Sequence, residues 1–278
     1  MIANFAVALY EAVESGSIHC QLKGVGLGDS LISFPDTVEA YAPYLYSLSL
    51  LDDKGLKIVN GIFKKSAEKA RQGNYLSSMK LNEIGLSYVI QFTDNVDVYN
   101  VLKHNIPDSS FVLKLESETM KHHYKSLVSR LYESPLAQLM NGPIRKKLGI
   151  IPPNVTFGGQ SVAVFQHQYD LPSSVLKDVS KLINYQLKVV IYEGQLDLIC
   201  GATGAEAWVK KLQWPGSKEF EAAPRKPLYT PTGAPNRKTA AFVKSYQNVE
   251  FYYILKSGHM VPADAPEMAL EMLKRIIG

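Results

Sequence analysis

Two runs of β-branched and aromatic residues constrain the fold of this chain more than any other feature. The run LKVVIYEG occupies residues 187–194, and the run VEFYYIL occupies residues 249–255. The first is a continuous β-branched run that ends in glycine, which is typical of a strand buried in a parallel sheet. A helical pattern follows each run. Strand–loop–helix units of this kind predict an α/β fold.

The rest of the chain reads as helices around these strands. The other predicted elements are, in chain order, a helix at 2–13, a short strand that runs into a glycine-rich loop within 20–30, helices near 36–51, 56–72, 75–90 and 115–140, a turn-rich stretch at 145–175, an amphipathic helix at about 172–186, a helix at about 203–212 and a polar, proline-rich insertion at 215–238. We therefore predict that residues 1–35 and 176–278 form the α/β core, and that residues 36–175 form a largely helical insertion.

The first helix begins without a recognisable N-cap. Its apolar stripe is predicted to consist of Ile2, Phe5, Ala6, Leu9, Ala12 and Val13. Either the chain simply starts with a helix at its initiator methionine, or the helix continues a segment that is not in this sequence.

Charge and composition exclude several classes of function. The 30 basic and 26 acidic residues give a net charge of +4, and the bases are scattered along the chain, so a nucleic-acid partner is not expected. No apolar run reaches the roughly 18 residues of a membrane span. The N-terminus also lacks the features of a signal peptide. Only Cys20 and Cys200 are present, too few for a disulfide scaffold or a metal site, and we expect them not to pair with each other.

Two loops beyond predicted strands carry residues that could do chemistry. Asp197 follows the strand 187–192, and His259 follows the strand 249–255. Reactive groups in open α/β sheets lie beyond the carboxyl ends of the strands, so the two side chains are expected to meet if the strands are neighbours. A carboxylate on one imidazole nitrogen leaves the other free to act as a base. Taken singly, each residue could equally be a turn aspartate or a structural histidine.

The order Asp then His is that of α/β hydrolases, in which a serine comes first. The corresponding elbow, G-x-S-x-G, is absent from the sequence. Ser30 does not have both flanking glycines, Ser161 lies in a turn-rich connection, and Cys200 lies only three residues beyond Asp197, a poor position for a nucleophile. The stretch Gly24–Gly28 does not match the G-x-G-x-x-G pattern of a nucleotide loop either.

The last helix carries a capping-box pattern. Asp264 is predicted as its N-cap, with Glu267 three residues later and Pro266 in the first turn.

The segments around both loops resemble one enzyme family. YEGQLDLICGATGAEAWVKKLQW, FVKSYQNVEFYYILKSGHMVPADAP, GVGLGDSLISFPDTVEAYAPYLYSLSLLDDKGL and LAQLMNGPIRKKLGIIP are similar to stretches of serine carboxypeptidases, and of their animal members in particular. The resemblance implies an α/β-hydrolase fold with a helical cap, Asp197 and His259 as the triad acid and base, a peptide substrate and no cofactor or metal. It also implies activity at acid pH and a secreted or lysosomal location. In a protein of that location, the sequon at Asn154 would be usable.

The sequence departs from the family pattern at its beginning. Members of the family carry G-E-S-Y-G-G-K-M at the elbow, and MIANFAVALYEAVESG resembles the family segment directly after that elbow. The resemblance thus implies that the chain is a C-terminal portion without the nucleophile and the first strands, and that it is inactive by itself. A smaller departure is Ala265, where the family usually has glutamine. The alternatives are a truncated, non-catalytic binding protein of the same family, and a family acyltransferase. The oligomeric state is left open.

Overall fold

The computed structural model of the protein describes residues 1–104, 135–157, 172–230 and 238–278. The chain divides into two compact units, the first made of residues 1–105 and 172–278 and the second of residues 106–171. Ser161 and the part of the predicted helix over 115–134 lie outside the described residues.

A single mixed sheet runs through the described part of the first unit. Its strands are, in chain order, β1 (Gly24–Gly28), β2 (Lys188–Gly194), β3 (Lys226–Tyr229), β4 (Thr239–Tyr246) and β5 (Val249–Ile254). Their order across the sheet is β1-β2-β5-β4-β3. Strands β1, β2 and β5 are parallel, whereas β4 and β3 continue the sheet antiparallel. The two predicted strands are therefore direct neighbours, and their carboxyl ends share one edge.

Helices cover the sheet and extend beyond it. Within the first unit they are α1 (Ile2–Glu14), α2 (Phe34–Ser47), α3 (Asp53–Arg71), α4 (Tyr75–Phe92), α5 (Leu176–Asn184), α6 (Ala202–Val209), α7 (Ser217–Ala222), α8 (Val261–Asp264) and α9 (Pro266–Ile277). In the described stretches, none of the helices is both long enough and apolar enough to cross a membrane.

Successive side chains along the strands point to opposite faces of the sheet, and each face is covered by an apolar layer. Val189 and Ile191 of β2 belong to the layer that α1, α5 and α6 cover, in which Trp208 is fully buried. Val190 and Ile254 belong to the opposite layer, which is completed by Met268 and Met272 of α9. Helices on both faces of a largely parallel core are the expected α/β arrangement.

Helices α2, α3 and α4 have an apolar core of their own. Phe63 of α3 is fully buried in it and meets Tyr41 of α2 edge-on, with ring centroids 5.0 Å apart. Leu196 and Leu198, from the loop after β2, join the same core. The helical layer is thereby packed directly on the loop that carries Asp197. Apart from the first two residues of α2, these helices lie within the predicted insertion over 36–175, whose boundaries remain a prediction.

Three local predictions need correction. The glycine-rich stretch expected as a loop is β1 itself, and the Tyr192 ring of the adjacent strand occupies the space where a side chain at Gly28 would be. Residues 215–238 are not only an insertion, since they contain α7 and the edge strand β3. Helix α1 turns Ala3, Ala6 and Val7 inward and leaves Phe5 66% exposed.

The described part of the second unit is a short helical segment with a stapled turn. Residues Pro135–Leu139 and Arg145–Leu148 are α-helical, and Met140–Ile144 form a π-helical turn between them. The Asn141 amide bonds both backbone groups of Phe157. Arg145 donates to the carbonyl oxygens of Pro152 and Val155, so the turn around the sequon is held against the helix.

Candidate functional site

Asp197 and His259 meet at the carboxyl edge of the sheet. The distance from Asp197 Oδ2 to His259 Nδ1 is 2.8 Å. The Asp197 carboxylate has no exposed surface, whereas 26% of the His259 side chain remains accessible. Among the described residues, the other imidazole nitrogen, Nε2, has no hydrogen-bond partner. An imidazole held in this way can exchange a proton through Nε2 while the carboxylate stabilises its charged form.

Backbone hydrogen bonds hold the two loops together. Gln195 N donates to Ile254 O at 2.9 Å, and Leu196 N donates to Ser257 O at 2.7 Å. A Cβ at Gly194 would lie 2.2 Å from the carbonyl oxygen of Gly258, so only glycine permits this approach. The fixed separation of the loops explains why the two side chains are in register.

The segment before residue 105 supports the histidine from the other side. The His259 N–H donates to Tyr99 O at 2.7 Å, and the Tyr99 ring meets the imidazole edge-on at 5.2 Å. Asp264 Oδ2 accepts the N–H of Gly258 at 2.8 Å and the Asn100 side-chain amide at 2.9 Å. The histidine loop is therefore clamped between Tyr99 and Asp264.

Asp264 is not the helix cap that the sequence pattern predicts. It is the last residue of α8, and the N-cap of α9 is Ala265, with no capping hydrogen bond from a side chain. Its carboxylate is instead used by the histidine loop and by Lys103, 3.4 Å away. The capping-box prediction was wrong because the local pattern contains no information about Asn100 and Lys103, which are distant in sequence.

Helix α2 braces the aspartate loop with two tyrosine hydroxyls. Tyr41 Oη donates to Ile199 O at 2.8 Å, and Tyr44 Oη donates to Gln195 O at 2.6 Å. Tyr41 also packs in the helical core, and Tyr44 packs against it. The available signal for the second role was the hydroxyl itself, since a buried tyrosine usually needs a polar partner.

The electrostatics favour a charged imidazole. Burial acts to lower the pKa of His259, but the hydrogen bond and charge of Asp197, together with the charge of Asp29, outweigh it and raise the pKa above 6.5. Burial raises the pKa of Asp197, and the His259 bond opposes that effect.

Ligand atoms for a cation lie close together here, but their chemistry argues against a thiolate-bound metal. Asp197, Cys200 and His259 each offer one atom within 4.8 Å of the others, and so do Asp29, Glu193 and Asp197. Burial raises the pKa of the Cys200 thiol well above its ordinary value, which disfavours the thiolate that a metal would need. Nδ1 of His259 is already bonded to Asp197.

The remaining predicted residues lie apart from this pair. The Ser30 hydroxyl donates to Gly28 O at 3.0 Å rather than to the imidazole. Both thiols are free, and Cys20 is exposed. Asn154 is exposed in a turn.

An aspartate and a histidine on loops after neighbouring parallel strands are the acid and base arrangement of α/β hydrolases. The fold agrees with that class. The crystal structure of a prohormone-processing carboxypeptidase from Saccharomyces cerevisiae, Kex1Δp, superposes with a TM-score of 0.73 at 17% sequence identity, covering 98% of this chain and 58% of that one.

Sequence comparison defines the family within that class. The serine carboxypeptidase family model, Peptidase_S10, matches residues 1–278. The retinoid-inducible serine carboxypeptidases of Rattus norvegicus and Homo sapiens are each 42% identical over 99% of this chain. Serine carboxypeptidase-like 51 of Arabidopsis thaliana is 38% identical over 98%. The chain belongs to the serine carboxypeptidase family, and it spans 61% of the length of each of these relatives.

Proposed function

We propose that this chain carries the acid and base of a serine carboxypeptidase that removes C-terminal residues from peptides. The observation that carries the proposal is the 2.8 Å bond between the buried Asp197 carboxylate and His259 Nδ1. A serine attacks the scissile carbonyl, His259 takes its proton and returns it to the leaving amine, and water then releases the acyl group. Asp197 keeps the imidazole in the correct tautomer. The helical region over 36–175 is proposed to shape the peptide pocket.

We also propose that the 278 residues are inactive by themselves. The sequence contains no G-x-S-x-G elbow. In acyl transfer the elbow supplies both the nucleophile and part of the oxyanion hole, and loss of one oxyanion donor already costs roughly 3–4 kcal/mol in comparable enzymes. Without a serine nucleophile, His259 has no hydroxyl group to deprotonate, so Asp197 and His259 alone do not catalyse acyl transfer.

A fluorophosphonate probe tests this second proposal directly. The 278-residue chain is expected to remain unlabelled after incubation with an excess of probe, as followed by intact-mass spectrometry. Stoichiometric labelling would show that a nucleophile is present in these residues and would overturn the proposal of inactivity.

The catalytic roles are tested on a longer product. The reading frame upstream of Met1 is examined for an in-frame G-E-S-Y-G-G segment, and the encoded protein is assayed on a blocked dipeptide. His259→Ala should lower kcat/KM by roughly 10⁴-fold or more. His19→Ala changes an exposed histidine far along the chain and should leave activity unaltered. A frame without the motif, or a longer product without activity, would favour a non-catalytic binding protein.

The proposed location is secreted or lysosomal. It is supported by the exposed turn at Asn154, in the sequon Asn154-Val155-Thr156. The protein expressed in its own secretory pathway should lose mass on treatment with a peptide N-glycosidase. Asn154→Gln and Thr156→Ala should each abolish that loss, since both destroy the sequon. An unchanged mass in the wild-type protein would contradict the proposal.

A further inference from the structure

Three carboxyl groups lie together behind the imidazole. Asp29, Glu193 and Asp197 each place a carboxyl oxygen within 4.8 Å of the other two. The strand register brings Asp29 and Glu193 together. Gly28 of β1 pairs with Tyr192 of β2, and Asp29 and Glu193 are the next residues along the two parallel chains. Glu193 and Asp197 are both 0% exposed.

In the described part of the chain, no lysine or arginine compensates a negative charge on Glu193. Within the described ranges, neither of its oxygens has a hydrogen-bond partner at normal geometry, and no lysine or arginine forms an ion pair with the three carboxyls. The polar groups that face it are the Asp29 carboxyl and the Ser30 backbone N–H. A fully buried carboxylate beside like charges is unfavourable, so one member of the cluster takes up a proton.

The surroundings distinguish the two acids. Asp29 Oδ1 accepts the Gly194 N–H at 3.3 Å, whereas Glu193 lacks such a bond. Burial, and then the charges of Asp29 and Asp197, raise the pKa of Glu193 well above its ordinary range. Burial and the charge of Asp197 raise the pKa of Asp29 to about 7. Asp29 therefore titrates in the same range as a histidine.

The other titratable groups facing this cluster are neutral in that range. Burial is the first cause of an upward pKa shift in each of them: Tyr41, Tyr44, Tyr99, Tyr192 and Cys200. Asp264 forms its own ion pair with Lys103 and accepts the Gly258 N–H. Asp29 and Asp197 are thus the negative charges that act on the imidazole.

We propose that Asp29 and Glu193 are positioning residues for the Asp197–His259 pair, with Glu193 as the protonated member and Asp29 as a second, titratable negative charge. This proposal rests on the proposed function for its catalytic meaning. At neutral pH the ionised Asp29 adds to Asp197 in stabilising the imidazolium. In acid, Asp29 binds a proton and that contribution disappears, so His259 releases its proton more readily than it would beside two permanent charges. Asp29 and Glu193 together would thus adjust the proton affinity of His259 to acid conditions.

Histidine NMR on the 278-residue chain tests the proposal without a nucleophile. The protein is labelled with ¹³C,¹⁵N-histidine, and the His259 resonance is identified by its absence in His259→Ala. Asp29→Asn should lower the His259 midpoint by roughly one pH unit, as expected for removal of one nearby charge. Glu193→Gln should leave it within a few tenths of a unit, because an amide preserves a neutral hydrogen-bond donor.

A His259 midpoint that is unchanged in Asp29→Asn would overturn the proposal. A shift in Glu193→Gln as large as that in Asp29→Asn would also overturn it, because Glu193 would then be ionised. Infrared spectroscopy gives a second measurement that does not depend on the Asp29 variant. The wild-type chain should retain a protonated-carboxyl C=O band above the His259 midpoint, and Glu193→Gln should lack it. Absence of the band in the wild type would equally refute the assignment. A normal titration with an inactive longer product would instead refute the proposed function.

Discussion

The bond between Asp197 and His259 joins a carboxylate without exposed surface to an imidazole that keeps 26% of its surface. Burial of the carboxylate makes the interaction strong, because the local dielectric is low and no water competes for the same oxygen. Exposure of the imidazole keeps Nε2 within reach of a substrate. The buried Asp197 thus makes the ion pair stable, and the partly exposed His259 remains accessible as a base.

Replacement of the carboxylate by an amide should therefore change the titration of the imidazole. Asp197 raises the pKa of His259 through its hydrogen bond and charge. In Asp197→Asn we expect the His259 midpoint to fall by roughly one to two pH units. The measurement is histidine NMR on the 278-residue chain. Asp94→Asn, at an exposed turn position, is the control and should have no effect. An unshifted midpoint in Asp197→Asn would contradict the pairing.

Asp264 belongs to the same scale, because one carboxylate holds the loop of the base. Partial burial opposes its ionisation, but the bonds from Gly258, Asn100 and Lys103 outweigh it and lower the pKa of Asp264 below 3.8. A depressed carboxyl pKa contributes stability above the unfolded value that is lost as pH falls through the folded one. The contribution of Asp264 should thus be complete above about pH 4 and disappear in stronger acid.

The matching substitution is Asp264→Ala, which leaves the Gly258 N–H and the Asn100 amide without their acceptor. We expect the free energy of unfolding at pH 7 to fall by about 1–3 kcal/mol in urea titrations. Glu267→Ala removes the other half of the predicted capping box and is the control, with an effect below about 0.5 kcal/mol. An equal decrease in the free energy of unfolding in the two variants would support the predicted capping box and would contradict the role of Asp264 in holding the histidine loop.

At the scale of elements, helices α3 and α4 meet through one glycine. A Cβ at Gly85 of α4 would lie 2.6 Å from the Phe63 ring, and Phe63 is fully buried. Gly61 of α3 has no atom within 4 Å of the corresponding position. The two glycines occupy helix interiors, so their backbone costs are alike and only the packing differs.

Alanine at each position should act in opposite directions. Gly61→Ala should stabilise the protein by roughly 0.5–1 kcal/mol, because alanine favours the helix. Gly85→Ala should destabilise it by roughly 1–3 kcal/mol, because the Phe63 ring must be displaced. Urea unfolding of both variants gives the comparison. A stabilising Gly85→Ala would show that the two helices are less closely packed than the structure describes.

At the scale of the whole molecule, the sheet formed by the described residues has β1, a parallel strand, at one edge. In the described part of the chain, β1 pairs with β2 on one side only. Near the same end of the sequence, Ile2 and Phe5 of α1 are 58% and 66% exposed. Unpaired strand edges and exposed apolar side chains both favour association.

We therefore expect the 278-residue chain to self-associate. Sedimentation velocity should show species larger than 30.9 kDa at micromolar concentration. The double variant Ile2→Lys/Phe5→Lys should shift the distribution towards the monomer. Leu102→Lys changes a side chain that is also exposed, at 73%, but lies far along the chain, and it should have less effect. A wild-type monomer with a cooperative melt would refute this expectation.

Family membership, fold class and the order of the main elements could be predicted from the sequence, and the family comparisons confirm the first two. Continuous apolar runs predict buried strands because both faces of β2 are covered. Strand direction then predicts that loops after neighbouring strands meet, which is how Asp197 and His259 were identified together. The catalytic roles of these two residues remain a prediction.

Local patterns alone determined strands β2 and β5, the main helices and the pairing of one aspartate with one histidine, because each depends on periodicity or on the end of a strand; strands β3 and β4 were not predicted. Only the tertiary structure decided what Asp264 binds, since its partner Asn100 is 164 residues away in sequence. The same holds for Asp29 and Glu193, which face each other through the register of β1 and β2. Contacts of this kind depend on how distant segments pack, and no local sequence pattern specifies that.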